Sequence, residues 1–374
     1  MLKKKQLTGF GMLLVVLSIM LNMSGCEMSD QQEHKVMKDV LPPAGFAEVG
    51  GSNYVMCRVD ESYRVRNEPE SWWKPGVLEL VVGHYHQQDP DQVRQQLQTM
   101  YENGQRKIAV LIWVAQDGGE KTDGYQVTDG VFGHCMVAKE GKLQPQHQEN
   151  TRDLIKLIRD TGYFNELNFR FAFQGGGAGP ESWEQWNEEQ YQQNWSVLVS
   201  TRAIVEEALN GSQMKVLYDL GAEIAGLENG QVPQYTRRMW KDYTQAYGRD
   251  DTYGFSMAVY PGRTANLLKV FEEVGVYPNV YSMDVYEHVQ EWLGAAGKEF
   301  AEAGIKNPRI IIQETYYNDP KSLAQLQKVG KDFGFEYLYL MQWPLKRGHS
   351  VPHFSDDYAA QYDAYLAKKI MQGH

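Results

Sequence analysis

Apolar, strand-forming runs alternate with amphipathic stretches from about residue 77 to the end of the chain. Eight of these runs predict β-strands, and each is followed by apolar residues at the spacing of a helix. Strands that alternate with helices are typical of parallel βα units, so eight units predict a (β/α)8 barrel, or TIM barrel, with one hydrophobic core. A doubly wound open sheet is the alternative, but such sheets usually have fewer strands, and no glycine-rich phosphate turn of the Rossmann kind is recognisable.

Each predicted strand is followed by a predicted helix. The strands are Leu78–His84, Lys107–Trp113, Leu167–Phe173, Lys215–Leu220, Tyr253–Val259, Val280–Val285, Arg309–Gln313 and Tyr337–Gln342. The helices are Asp91–Glu102, Thr151–Gly162, Glu188–Leu209, Pro233–Tyr247, Thr264–Gly275, Val289–Gly304, Ser322–Phe333 and Asp356–Met371. Residues 26–75 contain Pro42-Pro43 and Gly50-Gly51 and are predicted to be a tether and an irregular segment, which leaves residues 76–374 for a single barrel domain.

The first residues have the composition of an export signal. Lysines at positions 3–5 precede an apolar run from Phe10 to Leu21, and small residues lead to Cys26. The run is shorter than the roughly 20 residues that a membrane-spanning helix needs, so residues 1–25 are predicted to be a cleaved signal peptide.

The sequence Ser24-Gly25-Cys26 resembles the bacterial lipobox. The resemblance implies that Cys26 becomes the first residue of the mature protein and carries lipid, including palmitate. It also implies anchoring to the cell envelope. Glu27 after the cysteine resembles the signal for the outer membrane if the cell is Gram-negative.

Composition and charge narrow the function. A net charge of −11 argues against binding to nucleic acid, whose phosphates would be repelled. Nine Trp and 23 Tyr favour a glycan site, because sugars stack on flat apolar rings; the alternative explanation is a tyrosine-rich core. Cys57 and Cys135 leave a single disulfide open in an oxidising envelope, and no zinc-ligand spacing, metal or other cofactor is predicted.

Two carboxylates follow predicted barrel strands. Glu223 follows the fourth strand and Glu314 the seventh. Because active sites of such barrels lie at the carboxyl ends of the strands, we expect both side chains at one mouth. Cleavage of a glycosidic bond uses two opposed carboxyl groups, one as proton donor and the other as nucleophile.

From about residue 77 onward the strand order resembles that of the clan A retaining glycoside hydrolases. The resemblance implies that Glu223 is the general acid/base and Glu314 the nucleophile. It also implies that Trp343, after the eighth strand, is a floor for the sugar, and that Tyr286, after the sixth, lies beside the nucleophile. The chain departs from the clan at Ala222, where the clan usually has an Asn that binds the sugar 2-hydroxyl. Either the substrate lacks that contact, or Asp219 or another residue supplies it, or the barrel binds glycan without cleaving it.

Four further polar residues fall near predicted strand ends and are candidates for sugar contacts: His84, Gln174, Asp284 and Gln313. The glycine-rich loop 174–180 precedes Trp183, Trp186 and Trp195 and is flexible enough to admit a glycan or act as a lid. A rival interpretation is that His84-Tyr85-His86 resembles the first metal ligands of amidohydrolase barrels. The later ligands of that family are missing, because Tyr218, Val259, Asp284 and Trp343 occupy those places.

The sequence therefore predicts a retaining glycosidase for a poly- or oligosaccharide. The alternative is a catalytically inactive glycan-binding lipoprotein, accessory to exopolysaccharide synthesis or export, and Ala222 is its main support. The separation of Glu223 and Glu314 distinguishes the two, since a retaining pair lies about 5 to 5.5 Å apart.

Overall fold

A ring of parallel strands forms the centre of the molecule in a computed structural model that describes residues 40–58, 78–116, 131–132, 135–175 and 177–348. In chain order the strands are β1 (Gly51–Asn53), β2 (Met56–Arg58), β3 (Leu78–Leu80), β4 (Lys107–Gln116), β5 (Val131–Phe132), β6 (Cys135–Ala138), β7 (Glu166–Gly175), β8 (Lys215–Asp219), β9 (Thr252–Gly254), β10 (Ser256–Ala258), β11 (Tyr281–Asp284), β12 (Arg309–Glu314) and β13 (Glu336–Gln342).

The ring runs β10-β11-β12-β13-β1-β4-β7-β8-β9, with every neighbouring pair parallel. Only Phe255 separates β9 from β10, so these two short strands together form one strand position, or stave, of the barrel. Because β9 and β10 are the two ends of the strand order, the ring of staves is closed. The fold is therefore the predicted (β/α)8 barrel. Beside it, β6 pairs with β4 and β5, and β2 pairs with β3 in a separate two-stranded sheet.

Helices cover the outside of the ring. They are α1 (Val81–His84), α2 (Pro90–Glu102), α3 (Pro145–Thr161), α4 (Glu188–Leu209), α5 (Val232–Tyr247), α6 (Arg263–Val274), α7 (Val289–Glu302) and α8 (Pro320–Phe333). Capping residues define several helix ends. At the starts of α2, α4 and α8, the side chains of Asp89, Asn187 and Asp319 accept hydrogen bonds from N–H groups of the first turn. The helices α3, α6 and α8 end at glycines in the left-handed conformation, which are Gly162, Gly275 and Gly334. No described helix is long and apolar enough to span a membrane.

The prediction for the first barrel strand is wrong. Within the predicted Leu78–His84 strand, β3 pairs antiparallel with β2 outside the barrel, and Val81–His84 is helical. The first stave is β1, which pairs with β13 and β4 and lies in the segment 26–75 that was predicted to be irregular. Its three residues, Gly-Ser-Asn, have no apolar pattern, so hydrophobic periodicity gives no sign of it.

The strand β7 shows how the sheet divides the core. Phe169, Phe171 and Phe173 point outward into the main core against the helices, whereas Asn168 and Arg170 point into the barrel. Inside, a small apolar cluster includes Tyr253, Ile311 and Tyr339.

At the amino-terminal end of the strands, the buried Lys107 ammonium lies 2.7 Å from Glu48 and 3.3 Å from Glu166 and over the ring of Tyr339. The barrel is thus filled, with charge at both ends.

Several predictions fall outside the described residues: the signal peptide 1–25, the lipid anchor Cys26 and the helix Asp356–Met371. Cys57 and Cys135 are both free thiols, so the disulfide that the sequence left open is not formed.

Replacing Gly51 tests the corrected first strand. A Cβ at Gly51 would lie 1.8 Å from the backbone oxygen of Lys107, so Gly51→Ala should force β1 away from β4 and lower the free energy of unfolding by about 3 kcal/mol. Urea denaturation measures the change. The control is Gly294→Ala in α7, where the added methyl would lie 3.6 Å from Phe333; we expect stability unchanged or raised by up to about 1 kcal/mol. Equal stability of the two variants would contradict the placement of β1.

Candidate active site

The fully buried Arg170 is the centre of the barrel mouth. Its guanidinium forms ion pairs with carboxylates at the ends of three other strands: Asp219 on β8 (3.1 Å), Asp284 on β11 (3.1 Å) and Glu314 on β12. A buried charge is costly unless it is paired and hydrogen-bonded, so these carboxylates and the arginine stabilise one another. They hold the ends of β7, β8, β11 and β12 in one arrangement.

Two neutral acceptors complete the coordination of Arg170. Nη1 also donates to Asn53 Oδ1 at 3.0 Å, and Nη2 donates to Ser256 Oγ at 2.8 Å. With Nε on Asp219, Nη1 on Glu314 and Nη2 on Asp284, each of the five guanidinium N–H groups has one acceptor.

Glu314 is held from both sides. Oε1 accepts a hydrogen bond from Arg170 and Oε2 one from the hydroxyl of Tyr286, which follows β11. Burial and the adjacent Glu314 charge raise the pKa of Tyr286 well above its usual value. The hydroxyl therefore keeps its proton and donates the hydrogen bond to Glu314. Arg170 and Tyr286 therefore hold the carboxyl group of Glu314 in one orientation.

Glu223 lies in the turn after β8 with φ of +61°, a left-handed conformation that costs a non-glycine residue about 1 kcal/mol. The surrounding backbone holds it there. Arg263 at the start of α6 donates to the Glu223 carbonyl oxygen, and the amide of Ala222 donates to the carbonyl of Phe171 at 2.7 Å. Backbone contacts, rather than contacts of the carboxyl group, therefore set the position of this residue.

The acidity of Glu223 differs from that of an ordinary glutamate. Burial and the nearby charge of Glu314 raise its pKa to about 7, while the charges of Arg170 and Arg263 act in the opposite direction. A carboxyl group that keeps its proton near neutral pH is suited to act as a general acid.

The two glutamates meet at one point together with Asp284. Each of the three offers a carboxylate oxygen, and these oxygens lie within 4.8 Å of one another. This is close to the separation of a retaining pair and well below the roughly 6.5 to 9.5 Å of an inverting pair.

Asp284 is the third negative group, and burial together with the Glu314 charge raises its pKa well above the usual value. Its Oδ1 is buried and accepts no hydrogen bond from the residues that the structure describes. Three carboxylate oxygens would suit a hard divalent cation, but Arg170 already supplies positive charge to two of these groups.

The remaining predicted sugar contacts lie at different depths. Gln174 is exposed at the end of β7, and its Nε2 donates to the carbonyl of Ala222 at 3.0 Å. Trp343 follows β13 and is 8% exposed, with its ring packed against the main core. Gln313 is fully buried, and its carbonyl accepts a hydrogen bond from Asn53 at 2.9 Å. Of these three, Gln174 is the most accessible.

The placement of His84 at a barrel mouth is wrong, because the strand on which it was placed is not part of the barrel. His84 is fully buried in α1, with Nδ1 3.3 Å from the carbonyl of Leu80, and His86 lies in the 3-10 turn Tyr85–Gln87 that follows. The amidohydrolase interpretation thereby loses its first two metal ligands.

Trp183, which follows the glycine-rich loop 174–180, is packed into the protein and does not face solvent. Trp183 is buried, donates through Nε1 to the carbonyl of Gly177 at 2.8 Å and meets Tyr235 edge-on at 5.7 Å. Trp183 therefore links the loop after β7 to α5, and its buried ring leaves little surface on which a sugar could stack.

Sequence reasoning missed Arg170, Asn53, Ser256 and Arg263. Arg170 had a signal: it is the charged residue in the run Phe169-Arg-Phe-Ala-Phe173, where alternation turns it away from the phenylalanines and into the barrel. Asn53 was missed along with β1.

No family model matches this chain, and no curated protein matches it in sequence. Similar solved structures include a β-1,4-D-mannanase of Cryptopygus antarcticus, with 12% identity, TM-score 0.44, and coverage of 75% of this chain and 83% of that one. A family 5 broad-specificity endoglucanase of Clostridium longisporum has 11% identity, TM-score 0.47, and coverage of 87% and 97%. A family 5 protein of Streptomyces cattleya, in complex with Manβ1-4GlcNAc, has 12% identity and a TM-score of 0.44, with coverage of 78% of this chain and 76% of that one. Likeness at this level concerns the fold alone.

Removing the Arg170 charge should destabilise the barrel. Arg170→Met leaves buried carboxylates without their counter-charge, so we expect a loss of about 3 to 5 kcal/mol at pH 7, and a smaller loss for Arg170→Lys. Arg170 lowers the pKa of Glu223 and of Asp284, so without it both carboxyl groups bind protons more tightly in the folded state. Stability of the Met variant should therefore rise as the pH falls from 7 to 5.

Urea denaturation at both pH values measures this effect. The matched control is Arg94→Met, which removes a half-exposed arginine 4.0 Å from Asp91 and should change stability by at most about 0.5 kcal/mol. A loss at Arg170 as small as that at Arg94 would show that the buried network does not stabilise the barrel.

Proposed function

We propose that this protein is a retaining glycosidase that acts on a poly- or oligosaccharide through Glu223 and Glu314. One observation carries the proposal: carboxylate oxygens of Glu223 and Glu314 lie within 4.8 Å of one another at the carboxyl ends of the barrel strands. Glu314 is fixed by hydrogen bonds from Arg170 and Tyr286, and burial and the Glu314 charge raise the pKa of Glu223 to about 7. A carboxyl group that keeps its proton near pH 7, beside a second carboxyl group held in a fixed orientation, can supply the acid and the nucleophile that glycosidic cleavage needs.

In the first step, Glu223 transfers its proton to the glycosidic oxygen while Glu314 attacks the anomeric carbon. The bond from that carbon to the leaving oxygen breaks, and a covalent glycosyl ester forms on Glu314. In the second step Glu223, now ionised, removes a proton from water, the water oxygen bonds to the anomeric carbon, and Glu314 is released. Both oxygens of Glu314 already accept hydrogen bonds, but each retains a lone pair for the attack.

Ala222 has no polar side chain to bind the sugar 2-hydroxyl, and Gln174 is better placed than Asp219 to do so. Asp219 accepts hydrogen bonds from the amides of Gly221 and Ser256 and from Arg170, and it is fully buried. Gln174 is exposed and already bonded to the carbonyl of Ala222, so its amide oxygen can face a sugar hydroxyl there. Asp284, whose Oδ1 accepts no hydrogen bond from the described residues, and Trp343, which is only 8% exposed, are the next candidates for contacts with the bound sugar.

Loss of the nucleophile is the direct test. The full chain in detergent is assayed on aryl α- and β-glycosides, plant β-mannan and β-glucan, and bacterial exopolysaccharides. Glu314→Gln should lower turnover at least a thousandfold, because the variant has no carboxylate to form the covalent intermediate. The control, Glu302→Gln at the exposed end of α7, should leave turnover unchanged.

The pH dependence separates the roles of the two glutamates. With a pKa of about 7, Glu223 loses its proton as the pH rises, so kcat/KM should fall about tenfold per pH unit above 7. Glu223→Gln should remove this limb, and its residual activity should be highest on aryl glycosides whose leaving group needs no proton. Glycan binding without turnover, unaffected by Glu314→Gln, would contradict the enzyme and leave the accessory binding protein.

We also propose that Cys26 carries lipid and anchors the protein in the bacterial cell envelope. The support is the lysine-rich start, the short apolar run and Ser24-Gly25-Cys26. Cells fed labelled palmitate should label the wild-type protein, and Cys26→Ser should abolish the label. Cys57→Ser and Cys135→Ser are matched controls that should retain it, and equal labelling of all variants would disprove the anchor.

A further inference from the structure

Three aromatic rings lie together on the rim of the barrel mouth. Tyr260 comes two residues after the end of β10, and His288 and Trp292 lie at the start of α7, just after β11. The carboxyl ends of β10 and β11 also carry the active-site groups, so these rings share the face of the barrel that holds Glu223 and Glu314.

Tyr260 is exposed where such a side chain is usually covered. Its exposed fraction is 47%, and among the large apolar side chains of the described ranges only Leu41 and Tyr247 are also exposed. The ring centroid of Tyr260 is 4.4 Å from that of Trp292, which is 5.0 Å from that of His288. Together these three rings, here called the rim platform, form an aromatic cluster in which the ring plane of Trp292 is tilted by 44° to that of Tyr260 and by 33° to that of His288.

The rim platform has a rigid base. Trp292 is half-buried and packs against the main core. His288 is held in a left-handed conformation with Nδ1 3.3 Å from the carboxylate of Glu291. A surface held in this way loses little conformational entropy when a ligand binds. Its flat apolar faces match the C–H face of a pyranose ring, and the N–H and O–H groups at its edges suit sugar hydroxyls.

Arg263 connects the rim platform to the acid/base side of the site. The Arg263 guanidinium carbon lies 5.9 Å from the Tyr260 ring centroid, and the same group donates to the carbonyls of Glu223 and Ala225. The residue that protonates the departing oxygen lies on the side of the leaving group, so a sugar on Tyr260 would belong to the part of the glycan that leaves.

We infer that the rim platform formed by Tyr260, Trp292 and His288 binds a pyranose unit of the leaving-group side of a glycan chain. The inference rests on the proposed function for its meaning, since it makes the substrate a chain of several sugars rather than a single glycoside. It also makes the rim platform the site that an acceptor sugar occupies when it replaces water in the second step.

Binding tests the rim platform independently of catalysis. The full chain in detergent is run on native gels that contain β-mannan, β-glucan or a bacterial exopolysaccharide. The wild-type protein should be retarded by at least one of them, Tyr260→Ala should lose about tenfold in affinity for that glycan, and Tyr260→Phe should keep it. The matched control is Tyr247→Ala, because Tyr247 is also exposed but ends α5 at the opposite end of the barrel.

Kinetics assign the side of the site. For Tyr260→Ala, kcat/KM should fall about tenfold on the glycan chain and stay unchanged on an aryl monoglycoside, and transfer to an added acceptor sugar should decrease relative to hydrolysis. Wild-type protein that no glycan gel retards, or retardation that Tyr260→Ala leaves unchanged, would overturn the rim platform. If Tyr260→Ala loses binding but neither the wild-type protein nor any variant shows turnover, glycan binding at the rim platform stands, whereas the glycosidase proposal and the assignment to the leaving-group side both fail.

Discussion

The arrangement of the barrel mouth depends on one buried guanidinium. Arg170 uses all five N–H groups on residues from five other staves, so it leaves no donor for a ligand. The three carboxylates it pairs with would repel one another without it. Its function is thus to make a dense group of negative charges compatible with a folded barrel.

The position of the Arg170 charge also gives the two glutamates different surroundings. Arg170 contacts Glu314 directly but reaches Glu223 only through space, and Arg263 contacts the backbone of Glu223 rather than its carboxyl group. One carboxyl group is therefore compensated and the other is not. The raised pKa of Glu223 follows from its burial and from the nearby charge of Glu314, which the two arginines offset only in part.

The periodic pattern of apolar residues predicted those strands and helices that are long enough to show such a pattern. Seven of the eight staves and the helices that follow them inside the described ranges have long apolar patterns, and α4 was predicted with the bounds that it has. Glu223, Glu314, Tyr286 and Asp284 follow from those strand ends. The three-residue β1 has no such pattern, because its residues are selected by close approach to Lys107 and by the hydrogen bonds of Asn53. Placing His84 on a strand was the resulting error, and Arg170 required knowledge of which strands face one another.

If Cys26 carries lipid as proposed, the short stretch of sequence between the anchor and the barrel limits where this protein can work. Under the proposed anchoring, the segment from Cys26 to Val40 is all that separates the lipid from the first described residue. Even fully extended, a segment of that length reaches about 50 Å. Under both proposals the barrel would reach only glycan that passes close to the membrane surface, such as a polymer that is emerging from it or is itself attached to it.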